Sequence, residues 1–297
     1  MSIFTGSAVA LVTPFTKDDH VNYEKLQELI DFHVDNGTDA IVIVGTTGEG
    51  STLSMEEHSE CIRQAVAMTK GRIPVIAGTG SNATETAVSL SREADSFGAD
   101  AILVVTPYYN KATQKGLKEH YTSVAKSVNI PLIIYNVPSR TGCRVDATTA
   151  AELVREVDNI VGMKDATGDI SYAADLMNLS GGDIELYSGN DDQVLPLLSL
   201  GGLGVISVLA NVAPQKTHDM VDSYLKGDLS TAGKIQIDAI PLIHALFSEV
   251  NPIPVKYALN AMGMEVGHLR PPLTEIEDAH AKVLVDEMKK FGIEVRS

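Results

Sequence analysis

The chain has 297 residues, 44% hydrophobic and 21% charged, enough apolar material for a sizeable core, and carries a formal net charge of −16. That acidity excludes a general nucleic-acid binder, which needs a basic face, but not small anionic substrates held by a few local cations. No run approaches the roughly 18 apolar residues of a membrane span. "MSIFTGSAVALVTPF" has neither the basic nor the long apolar region of a signal peptide. Cys61 and Cys143 make no metal spacing and no disulfide framework, so a reducing, cytoplasmic setting is expected.

In chain order, the first β-branched apolar run is "GSAVALVTPF" (6–15). It is followed by "NYEKLQELIDFHVDNG", which puts Leu26, Leu29, Ile30 and His33 on one helical stripe and stops at Gly37. "AIVIVGTTG" (40–48) precedes a helix opening on Ser54 and Glu57, a capping-box pair, and stopping at Gly71. "PVIAGTGS" (74–81) precedes a helix with the same kind of opening and a stop at Gly98. The remaining runs are "AILVVTPYY" (101–109), "PLIIYNVPS" (131–139), "IVGMKDATG" (160–168), "IELYSGND" (184–191) and "GVISVLAN" (204–211). Near-continuous apolar character suits strands covered on both faces. Eight such runs alternating with helices predict a (β/α)8 TIM barrel over residues 1–226. A doubly wound sheet is the alternative, but it usually has fewer strands, and no Gly-rich dinucleotide fingerprint follows the first one. "APQKTHDMVDSYLKGD" is the eighth barrel helix. Residues 227–297 read as a C-terminal helical extension, with helices over 229–250, 254–262 and 273–291.

In such a barrel the active site lies at the C-terminal strand ends. Lys164 ends the sixth run. Apolar walls disfavour its ammonium form and leave a nucleophilic amine able to make a Schiff base with a ketone. A structural ion pair with Asp165 or Glu49 is the competing reading, and position alone leaves both open. Thr47 and Tyr135 bring hydroxyls to the same rim, suited to proton shuttling, although a strand tyrosine also serves as a core residue. The N–H groups of Thr46 and Thr47 suit a carboxylate or belong simply to a tight turn. Arg140, in a loop over the mouth, suits bidentate carboxylate recognition or stands free on the surface. The eight histidines show no HExxH or paired spacing, which argues against zinc chemistry. "GGLG" (201–204) precedes the eighth strand and is expected to stop a helix on the opposite face. Lys256, in "NPIPVKYAL", is expected in solvent on a tail helix.

Together "GTTGEG" (45–50), "TPYYN" (106–110), "YNVPSRTG" (135–142), "GMKDATGD" (162–169), "YSGNDD" (187–192) and "GVISVLAN" (204–211) closely resemble the dihydrodipicolinate synthases. These are class I aldolase-like enzymes at the first committed step of lysine and diaminopimelate synthesis. The resemblance covers essentially the whole chain, including the "NPIPVK" tail. It implies that Lys164 forms a Schiff base with pyruvate, whose enamine attacks L-aspartate 4-semialdehyde to give 4-hydroxy-tetrahydrodipicolinate. Tyr135, Thr47 and Tyr109 then form the proton relay, Tyr109 reaching in from the neighbouring subunit of a tight dimer. Arg140 binds the semialdehyde carboxylate. Thr46, Thr47, Gly189 and Ile206 line the pyruvate pocket, the last two largely through backbone. No metal or organic cofactor is implied. The partners implied are the two substrates and further copies of the chain, commonly in a tetramer, with no nucleic acid or membrane.

N-acetylneuraminate lyases share the lysine and tyrosine, but usually read GSTGE at the second strand and lack the arginine of "PSRTG". A barrel that only senses or scaffolds a small acid is expected to have lost Lys164 or the hydroxyls. Family members inhibited by lysine bind it in a cleft at the dimer interface. Ser51, His58, Asn82 and Tyr108 fall there, whereas Gly50, Met55 and Thr86 replace polar, histidine and acidic side chains of sensitive enzymes. Losing the acidic partner removes a charge-assisted contact of about 1.5–3 kcal/mol, so weak or absent inhibition by L-lysine is expected.

Overall fold

A computed structural model describes residues 2–296. Met1 and Ser297, at the outer ends of the predicted barrel and extension, lie outside the described residues. Eight parallel strands close into a barrel in chain order: β1 (Gly6–Ala10), β2 (Ala40–Ile43), β3 (Val75–Gly78), β4 (Ala101–Val105), β5 (Leu132–Asn136), β6 (Ile160–Asp165), β7 (Glu185–Ser188) and β8 (Gly204–Ser207). Closure comes from β1, which pairs with both β2 and β8. Closing the sheet removes its edges.

The helices form where the apolar stripes foretell them. α1 (Tyr23–Asp35) buries Leu26, Leu29, Ile30 and His33. α2 (Met55–Thr69) opens in the expected capping box: the Ser54 hydroxyl accepts the Glu57 N–H (3.2 Å), and the Glu57 carboxylate accepts the Ser54 N–H (2.9 Å). α3 (Thr84–Phe97) stops at Gly98 as expected, in the left-handed region with φ +85°. Its opening departs from expectation, since it begins behind Ala83, whose methyl group caps nothing. Then come α4 (Gln114–Ala125), α5 (Pro138–Thr141), α6 (Ala147–Glu156), α7 (Ile170–Ser180), α8 (Val194–Ser199) and α9 (Pro214–Leu225), the last being the predicted eighth barrel helix. The tail forms α10 (Leu229–Leu246), α11 (Ile253–Ala261) and α12 (Asp278–Lys290), the first and last shorter than their predicted spans and α11 offset by one residue; α10 packs on α9 and α12. Among the described residues, no helix is long and apolar enough to cross a membrane.

Period-two alternation divides each strand between two cores. Leu132, Ile134, Met163 and Leu186 face the helices. Ile133, Tyr135, Tyr187 and Ile206 fill the barrel with Ala8, Ala10, Val42, Ile76 and Leu103. Phe4 stacks on Tyr187 at 4.3 Å, and the Tyr187 hydroxyl donates to the Phe4 carbonyl (2.9 Å), plugging the N-terminal end. "GGLG" does stop a helix: the Gly202 N–H returns to the Leu197 carbonyl at the end of α8.

Two further expectations are corrected. The eighth strand does not run to Asn211 but stops at Ser207, with a 3₁₀ turn over Leu209–Asn211. The Asp191 carboxylate takes the N–H groups of Val208 (3.0 Å) and Leu209 (2.9 Å), removing them from the sheet ladder. Arg140 is not in an open loop. It sits in α5, whose Pro138 presets the first helical φ and whose left-handed Gly142 ends it.

Candidate active site

A chamber of about 580 Å³ opens at the C-terminal end of the barrel. Register builds its floor: Lys164 pairs with Tyr135 across β5–β6 and with Tyr187 across β6–β7, so all three point inward. Lys164 is 6% exposed, and its Nζ lies 4.3 Å from the centroid of the Tyr135 ring. Among the described residues, no carboxylate reaches it within ion-pair distance. Glu49 is taken elsewhere, its Oε1 accepting from Lys256 Nζ (2.7 Å) and its Oε2 from the Arg270 N–H (3.0 Å). Asp165 turns back on its own chain, accepting the Thr167 N–H at 2.9 Å, and burial pushes its carboxyl up. The structural ion pair that competed for Lys164 therefore does not form.

Lys256 is the correction that explains this. Expected in solvent, it is 1% exposed and shares the apolar face of α11 with Ile253 and Leu259. Burial lowers its pKa, and the Glu49 carboxylate opposes that shift. It also donates to the His268 carbonyl and lies 4.3 Å from the Phe15 ring centroid. Arg270 stacks on the same ring and holds Glu57 bidentately, both contacts at 2.7 Å. A lysine three residues from both Ile253 and Leu259 was a signal that the sequence carried.

Thr46, Thr47, Tyr135, Arg140, Lys164 and Gly189 all stand on the chamber wall. The N–H groups of Thr46 and Thr47 donate to no protein acceptor among the described residues. At Gly189 a Cβ would lie 2.8 Å from Ala166 Cβ and 3.1 Å from Lys164 Cε, so only glycine leaves the lysine its space. Arg140 Nη2 donates to the Asn251 carbonyl (3.2 Å). Ile206 packs in the barrel interior, while Val208 is the residue beyond β8 on the wall. Tyr109 is 89% exposed and does not line the chamber of its own chain. Its φ of +75° is costly for an aromatic residue. Sequence reasoning did not anticipate the tail segment Phe247–Asn251, which closes one side of the chamber.

A second cavity of about 400 Å³ backs onto the first and shares Thr46, Tyr135 and Arg140 with it. Ser51, His58 and Tyr108 line it, as do Gly50, Met55 and Thr86. Asn82 does not; its carbonyl accepts from Asn110 Nδ2 (2.8 Å). Burial lowers the His58 pKa to about 4.

The profile of the dihydrodipicolinate synthetase family matches residues 3–291. The chain belongs to that family. It is 62% identical over 293 residues to 4-hydroxy-tetrahydrodipicolinate synthase of Lachnoclostridium phytofermentans, covering 99% of this chain and 100% of the relative. Dihydrodipicolinate synthase from Acinetobacter baumannii, solved in complex with pyruvate, superposes with a TM-score of 0.95 at 45% identity, covering 98% of this chain and 99% of that one. The enzyme from Cyanidioschyzon merolae, solved with lysine bound, superposes with a TM-score of 0.96 at 37% identity, covering 99% and 100%.

Breaking a buried ion pair by removing one partner costs about 3–5 kcal/mol, whereas an apolar replacement of both is often near neutral. Glu49→Leu and Lys256→Met should each lower urea stability by that amount, and the double variant should recover most of it. Additive losses in the denaturation midpoints would mean that the pair is not coupled.

Proposed function

We propose that the chain is a Schiff-base lyase condensing pyruvate with L-aspartate 4-semialdehyde to 4-hydroxy-tetrahydrodipicolinate. The observation that carries this reading is the contrast between two buried lysines. Lys256 has a carboxylate at 2.7 Å, and Lys164, at the chamber floor, has none. An amine without a counter-ion is the one placed to act as nucleophile. Family membership and the high identity to a named synthase support the choice of substrates.

The Lys164 amine attacks C2 of pyruvate, and the carbinolamine loses water to give the Schiff base. Loss of a methyl proton yields the enamine, which attacks the aldehyde carbon of the semialdehyde. The α-amine of the adduct then displaces Lys164 and closes the ring. Tyr135 and Thr47, both buried, carry protons through these steps together with Tyr109 of a neighbouring subunit. The exposure of Tyr109 in the single chain supports a tight dimer that shares it, with two dimers pairing in a tetramer. Arg140 holds the semialdehyde carboxylate, and the N–H groups of Thr46 and Thr47 hold that of pyruvate. Gly189 and the backbone at Ile206 complete the pyruvate pocket. In this reading residues 1–226 form the catalytic barrel and 227–297 the packed extension, and the enzyme works in the cytoplasm on soluble substrates. Ser51, His58 and Tyr108 lie around a weak or silent lysine cleft, with Asn82 outside its lining.

Borohydride reduction with pyruvate should leave a pyruvate-derived mass on the peptide bearing Lys164 and none in Lys164→Ala. No adduct, or one on another lysine, returns the sensing reading to the front. Mixing inactive Lys164→Ala and Tyr109→Phe chains should restore part of the activity, because one hybrid site then has both residues intact. Unchanged inactivity in verified hybrids would place Tyr109 outside the relay. L-lysine should leave at least half the activity at several millimolar. Half-maximal inhibition below one millimolar would show that the missing acidic partner is dispensable.

A further inference from the structure

Of the tail residues on the chamber wall, Asn251, the first residue of "NPIPVK", has a side chain with no assigned role. Asn251 is 5% exposed, and its Nδ2 donates to the Thr47 hydroxyl at 2.9 Å. Its carbonyl accepts from Arg140 (3.2 Å). The contact is held by a second tie on the same two segments, because Lys256 and Glu49 meet five residues beyond Asn251 and two beyond Thr47. Thr47 itself is 2% exposed and stands on the same wall as Tyr135 and Lys164.

A threonine hydroxyl has one proton and two lone pairs. With an amide N–H occupying one lone pair, the hydroxyl proton is excluded from the direction of residue 251. It is left to point into the chamber. We propose that Asn251 is a positioning residue that sets the direction of the Thr47 hydroxyl, so that Thr47 donates towards the reacting centre. This rests on the Schiff-base reading, in which Thr47 belongs to the proton relay. A freely rotating hydroxyl donates in the productive direction only part of the time, and one bonded to an acceptor at 251 donates the wrong way.

The test uses the first half-reaction alone. Exchange of the pyruvate methyl protons in D2O, followed by NMR without semialdehyde, reports Schiff-base and enamine formation. It makes no use of semialdehyde carboxylate binding by Arg140, whose contact is to the residue 251 carbonyl rather than to its side chain. Asn251→Ala should slow exchange about tenfold and the isosteric Asn251→Asp about a hundredfold, within the range of general acid–base effects. The acid reverses the bond by accepting from Thr47. In a Thr47→Val background, Asn251→Ala should change the rate by no more than about twofold, because its target is gone.

Rates for Asn251→Ala within twofold of the unaltered chain would overturn the proposal. So would wild-type exchange in Asn251→Asp, which would mean that Thr47 donates to residue 251. A full tenfold loss in the Thr47→Val background would also overturn it, leaving a merely structural role. If Asn251→Ala fails to fold, the isosteric Asp variant decides. No exchange by the unaltered chain would remove the Schiff-base reading itself, and this inference with it.

Discussion

The buried pair of Lys256 with Glu49 is the contact on which the chamber depends. It fastens the tail to the loop after β2 and holds Asn251 against the Thr47 hydroxyl. It also occupies Glu49, one of the two acids the sequence offered to Lys164. Both ions are about 1% exposed, so desolvation is severe, and their attraction offsets it only because both Glu49 oxygens are hydrogen-bonded. Arg270 and Phe15 wall off the pair from solvent. The family's chemistry needs an amine that is buried and unpaired. Lys164 stands buried and without an ion-pair partner, while Glu49 is bound to a different lysine.

Barrel geometry supplies the rest of the arrangement. Because side chains alternate, the register that sets Lys164 beside Tyr135 and Tyr187 also turns Met163 outward to the helices. Phe4 and Tyr187 close the lower end, leaving Lys164 facing the other. Polar side chains then interrupt the regular structure where the chamber needs room. Asp191 ends β8 by taking two N–H groups, and Asn211 bonds the Ala10 carbonyl (2.8 Å) and the Val12 N–H (3.2 Å). A chain of net charge −16 thus presents Lys164 and Arg140 together on the wall of one chamber.

Local pattern made much of this legible. The apolar stripe of α1, the capping box of α2, the Gly98 stop and all eight strands were visible because each depends on residues close in sequence. Strand ends were read too long, since a β-branched run such as "GVISVLAN" does not reveal the distant carboxylate that diverts its N–H groups. Lys256 was misplaced by its charge, although its helical neighbours are apolar.

By itself the sequence determined the barrel, the strand on which Lys164 ends, and the family, since periodicity and motif are local or cumulative along the chain. Tertiary structure alone decided which lysine is paired. The two bonds from the tail, to Thr47 and to Glu49, join residues 204 and 207 positions apart. No local pattern encodes such contacts, because they exist only once the barrel has closed and the tail has folded back over its mouth.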